Sequence, residues 1–151
     1  MIRKIEMALL NPSKETERKL RWSAQIEEDQ TNFHLYIPKW RVPKPWPGRI
    51  YVTISLFDDS LSDWTPKKTH TRNLEKNIQT VVKPFRNHTK TRRYKPLGDQ
   101  SEWEIGEPYI PYSLIPEDFD HLLLLEVEWD LSSKGQFINV PTYRDDDDDY
   151  Y

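Results

Sequence analysis

Four stretches of this chain alternate apolar and polar residues with a period of two, and that alternation limits what it can fold into. Leu20, Trp22, Ala24 and Ile26 are separated by Arg21, Ser23 and Gln25. Phe33, Leu35 and Ile37 repeat the pattern, as do Ile50 to Leu56 and Leu123 to Trp129. Successive side chains of a strand point to opposite faces, so each stretch buries one face and wets the other. Ile5, Met7 and Leu9 add a strand over residues 2 to 10, and Trp103 with Ile105 a short one. The fold class that follows is mainly β, a β-rich α+β chain with about six mostly antiparallel strands in a sandwich or half-open barrel.

Asp29 to Asn32 carries turn chemistry, so residues 19 to 37 read as a hairpin. Asn11 and Pro12 would break the first strand and cap a short helix through Arg18. Leu74, Ile78, Val81 and Val82 recur at helical spacing, which predicts one helix near 72–83, stopped by Lys83-Pro84. Residues 84–98 have no periodicity and read as a basic loop. At 151 residues the chain fits one domain. Residues 1–144 form that β-rich domain, and 145–151 are an acidic low-complexity tail that would stay solvated.

Charge is distributed unevenly along the chain. The total is −3, yet residues 38–57 carry +4, 67–95 carry +9 and 96–151 carry −13. Local fields of one sign attract partners of the other, so the pattern says more about partners than the total does. Within the first basic region, residues 38–49 read PKWRVPKPWPGR: four prolines, two tryptophans, four cations and no acid. Proline fixes φ and pushes the preceding residue away from helical geometry. The stretch therefore reads as an extended rod that displays Lys39, Trp40, Arg41, Lys44 and Trp46.

The second basic region supplies Lys67, Lys68, Arg72, Arg86, Lys90, Arg92, Arg93 and Lys95 for phosphate contacts, with Phe85 and Tyr94 as stacking faces. Stacking needs splayed bases and no groove-reading motif is present, so single-stranded RNA or a ribonucleoprotein is the expected partner. The expected function is a non-catalytic accessory module, such as a small subunit of an RNA-guided defence complex. Protein subunits would be met through the acidic last third.

Two other classes stay open. A nuclease would use His70 and His88 without metal, or Asp58 with Glu126 around a divalent cation. A protein-interaction module would dock the 38–49 rod into a partner groove. No cysteine is present, which excludes disulfides, thiol nucleophiles and thiolate metal sites. Four isolated glycines exclude phosphate-cradling loops, and no histidine pair has zinc-ligand spacing. No cofactor or metal is expected. With no apolar run near a membrane span and too short an opening run for a secretory signal, the expected compartment is cytoplasmic, with no membrane partner.

Overall fold

The computed structural model describes residues 3–42, 44–56, 77–115, 121–129 and 142–145. Nine strands follow in chain order: β1 (Arg3–Glu15), β2 (Lys19–Ile26), β3 (Thr31–Pro38), β4 (Arg49–Leu56), β5 (Asn77–Asn87), β6 (Thr91–Pro96), β7 (Tyr109–Pro111), β8 (Leu123–Glu128) and β9 (Thr142–Asp145). All neighbours pair antiparallel, and eight of the strands form a closed ring in the order β1-β2-β3-β7-β6-β5-β8-β4. The ninth, β9, lies against the first residues of β1, on the edge that β2 covers further along. Closure leaves no free edge within the ring, which removes the usual template for unwanted strand pairing.

The ring is two Greek keys. Strands β1, β2 and β3 are consecutive neighbours, and β4 returns to lie beside β1. Strands β5, β6 and β7 are consecutive neighbours, and β8 returns to lie beside β5. Pairings β3–β7 and β4–β8 join the two keys, so the topology repeats after four strands although the sequence shows no repeat.

The alternation predicted from sequence fills the barrel. Trp22, Phe33, Leu35, Ile50, Val52, Ile54, Leu125 and Val127 are fully buried in one core cluster, together with Tyr94 and Trp129. Among the described residues no α-helix occurs; three short 3-10 turns are found at Glu27–Asp29, Lys39–Arg41 and Gln100–Glu102. None of the described helices is long and apolar enough to cross a membrane.

Four expectations are corrected. Among the described residues nine strands are found where about six were expected. The predicted helix near 72–83 is strand β5 from residue 77 onward; residues 72–76 lie outside the described set. Ile78 and Val82 are buried in the core cluster, while Val81, on the opposite face, is also fully buried. A strand covered on both faces over residues 81–82 reproduces the i, i+3, i+4 spacing of a helix.

Asn11-Pro12 does not open a helix either. Strand β1 runs through it to Glu15, and its register against β2 shifts between Leu10 and Lys14. Proline lacks the ladder donor, and a bulge is where a strand tolerates that loss. The predicted basic loop, residues 84–98, is the end of β5 and all of β6, with a second bulge between Pro84 and Arg86.

Candidate nucleic-acid interface

Register partners across an antiparallel sheet share a face, so the pairings themselves place side chains together. Ser23 is opposite His34, His34 opposite Tyr109, Tyr109 opposite Arg93, and Arg93 opposite Arg86. These five residues form one row across the outside of β2, β3, β7, β6 and β5, with strands about 4.8 Å apart. Two residues along, Arg21 is opposite Tyr36 and Lys95 opposite Lys83.

The bulge in β5 decides what the right-hand end of this surface shows. Pro84 pairs with Tyr94 and Arg86 with Arg93, leaving Phe85 as the extra residue. Phe85 is 49% exposed, a large aromatic held out in solvent. The Arg93 guanidinium lies 5.0 Å from its ring centroid and the Lys95 ammonium 5.7 Å. Arg93 also lies 5.7 Å from the Tyr109 ring, whose other neighbour is the His88 imidazole at 5.4 Å.

Two features of this surface work against stability. Lys83 faces Lys95 and Arg86 faces Arg93, and like charges directly opposite on a sheet repel. One acid is bonded within the group: Glu107 accepts from Arg93 Nε at 2.9 Å and from Nη2 at 3.2 Å. That bond, outweighing burial, raises Arg93 above its ordinary pKa. Glu107 is brought there by Gly106, whose N–H donates to the Tyr36 carbonyl at 2.8 Å. A Cβ on Gly106 would meet Tyr36 Cβ at 3.1 Å, tighter than ordinary van der Waals contact, so a side chain there would press against β3.

At the left-hand end, Ser23 Oγ and His34 Nδ1 are 2.5 Å apart. Burial, then the nearby Arg21 charge, holds the His34 imidazole below its ordinary pKa, so at neutral pH it is uncharged. Arg21 also lies over the Tyr36 ring, 5.9 Å from its centroid, and donates to the Tyr36 hydroxyl at 3.5 Å.

The residues singled out from sequence divide between this surface and the interior. Arg86, Arg93 and Lys95 are on the platform with Phe85. Lys90 is exposed at the adjacent hairpin tip and donates to the Gln30 carbonyl. Arg92 and Tyr94 alternate with Arg93 and so point into the barrel, 4% and 0% exposed, which corrects their assignment to phosphate contact and base stacking. Arg92 Nε donates to Asn87 Oδ1 at 2.7 Å.

The 38–49 stretch connects β3 to β4, which are not neighbours in the ring, and its described residues do not form a displayed rod: Lys39–Arg41 is a 3-10 turn. Arg41 is 1% exposed, ion-paired to Glu104, bonded to the Asn77 carbonyl at 2.6 Å and stacked 5.3 Å from the Trp129 ring. It cannot reach a phosphate. Trp40 and Trp46 are half-buried, Trp46 against the core, with Lys39 and Lys44 5.4 and 5.2 Å from its ring. Lys39 is further tied to Glu15 at 2.7 Å, and Trp22 Nε1 donates to the Pro47 carbonyl.

Lys67, Lys68, Arg72, His70 and Asp58 lie outside the described residues. Glu126 accepts from Gln79 on the outside of β8; His88 Nε2 is buried, and the Tyr112 hydroxyl donates to the His88 carbonyl at 2.7 Å. Among the described residues no group of three or more His, Asp or Glu side chains is placed to hold a metal ion. Tyr36, Tyr109, His34, Arg21, Lys83 and Glu107 were not singled out from sequence; the signal was their place opposite one another, which only pairing reveals. No protein-family model, no curated protein and no solved structure matches the chain.

Proposed function

We propose that the outer face of β5, β6, β7 and β3 binds single-stranded RNA without catalysis. The observation that carries this reading is the pair of like-charge oppositions, Lys83 with Lys95 and Arg86 with Arg93, set around an exposed Phe85. A polyanion lying across them would relieve repulsion that the protein alone must bear. Phe85, Tyr109 and Tyr36 present rings between the cations, and an open sheet face bearing aromatics is a recurrent platform for unpaired bases. Phosphate contacts of this kind position the strand and do not read its sequence. In this reading the acidic last third, −13 over residues 96–151, faces protein neighbours within a ribonucleoprotein.

Anisotropy of a labelled single-stranded RNA, titrated across a range of salt, tests it. Engagement of three to five phosphates gives log K against log salt a slope of about −2 to −3.5. A flat dependence, or a Lys83→Thr, Arg86→Thr, Lys95→Thr variant that binds as tightly as the wild type, would sink the reading.

A further inference from the structure

Resting on the platform reading above, we infer that Glu107, Phe85 and Tyr109 form a subsite for an unpaired guanine of the bound RNA, a place that Arg93 fills in the free protein. The Glu107 carboxylate grips two adjacent N–H donors of one planar group, Nε–H and Nη2–H of Arg93. That planar group is flanked by two aromatic rings, at 5.0 and 5.7 Å. Stacking on rings with a two-donor fork onto a carboxylate is what an unpaired guanine asks of a protein. Its Watson–Crick edge carries N1–H and N2–H side by side on an N–C–N unit like that of guanidinium.

The other bases do not fit the same fork. Adenine and cytosine each offer one amino donor beside a ring acceptor, and uracil offers one N–H between two carbonyls. A carboxylate opposite those edges meets a lone pair, which repels it. Guanine alone can replace both hydrogen bonds that Arg93 would give up.

The exchange leaves no buried charge behind. Side chains of Glu107 and Arg93 are 25% and 26% exposed, so both can move without opening the core. Arg93, released from Glu107, stays opposite Arg86 and becomes a second cation for the phosphate flanking the base. Guanine recognition and backbone affinity are thereby coupled: a strand without guanine leaves Arg93 neutralised by Glu107 and engages one fewer cation.

Oligouridine strands carrying one central guanine, inosine, adenine or cytosine test this by competition against the full-length protein. Inosine lacks the N2 amino group and nothing else. The expected result is tighter binding of the guanine strand by about tenfold over inosine, within the range for a bidentate base contact. Glu107→Gln should bring all four strands to within about twofold of one another while oligouridine binding persists, because freeing Arg93 adds a phosphate contact. Equal binding of guanine and inosine strands by the wild type overturns the subsite, as does a Glu107→Gln variant that keeps the preference. Binding of every strand without preference sinks the subsite alone, whereas no binding of any strand sinks the platform reading with it.

Discussion

Arg41 and Arg86 stand in the two basic, aromatic stretches of this chain, residues 38–49 and 83–95, and the barrel treats them oppositely. Arg41 is buried, its charge met by Glu104, a backbone carbonyl and the face of Trp129. Arg86 is exposed and opposite another arginine. The first stretch uses Arg41, and Lys39 through Glu15, as structural fasteners. The second leaves like charges facing each other around an exposed ring, with Glu107 bonded to one of them, Arg93. Composition alone does not separate a cation that holds a fold together from one that waits for an anion. What separates them is whether the fold supplies the counter-charge.

The comparison breaks most visibly at Arg41. Arg41→Ala should destabilise the protein by about 3 to 5 kcal/mol, because it leaves Glu104 and the Asn77 carbonyl without their buried partner. Urea unfolding reads this directly, and a loss under 1 kcal/mol would mean the 38–49 stretch is not fastened by that pair. An Arg41→Met, Glu104→Gln double variant should recover much of the loss, since the orphaned charge is then gone. RNA affinity per folded molecule should not change.

Phe85→Ala should do the reverse. At 49% exposure the ring contributes little to the core, so the unfolding midpoint should barely move. RNA affinity should fall by about 1 to 3 kcal/mol if one base stacks there. Unchanged affinity would leave the platform without its stacking element.

How much of this was legible before the fold was known depends on the kind of signal. The alternation at Leu20–Ile26, Phe33–Ile37, Ile50–Leu56 and Leu123–Trp129 named the strands and the core because a half-buried strand writes its geometry into the sequence. Strand β5 escaped because Val81 and Val82 are buried on opposite faces, which erases period two. Strand β6 escaped because its inward positions are Arg92, Tyr94 and Pro96, a face that does not look apolar. The same reversal moved Arg92 and Tyr94 from the expected interface to the interior, while Arg86, Arg93, Lys95 and Phe85 stayed outside. Glu107 and Tyr109 lie in the acidic third and join the basic surface through pairing that no local pattern encodes.

Smaller effects sharpen the contrast within the platform itself. Neutralising one member of an opposed pair, as in Lys83→Thr or Arg86→Thr, should stabilise the free protein by about 0.2 to 1 kcal/mol. Raising the salt should shrink that gain, because screening already weakens the repulsion. The same variants should bind RNA more weakly. Stability and affinity would then move in opposite directions at these positions, whereas at Arg41 stability alone is lost; Lys83 or Arg86 variants that lose stability with affinity unchanged would place these residues among the fasteners.

The smallest effect belongs to His34, at the end of the row farthest from Phe85. Its imidazole is held below the ordinary value first by burial and then by Arg21, so the fold favours the neutral form. The unfolded chain therefore binds a proton that the folded one refuses. Stability from this site is complete above the ordinary histidine pKa of about 6.5 and is lost progressively as pH falls below it, levelling off once the folded imidazole also protonates. His34→Gln, which keeps a partner for Ser23 Oγ, should flatten this part of the stability profile between pH 7 and pH 5. Arg21→Gln should only shrink it, since burial remains. A profile unchanged by His34→Gln would assign the acid sensitivity to another group. An RNA strand laid across the row adds phosphates beside the imidazole and favours its charged form. RNA affinity should then rise as pH falls through the same window in which the free protein loses stability, and that rise should vanish in His34→Gln.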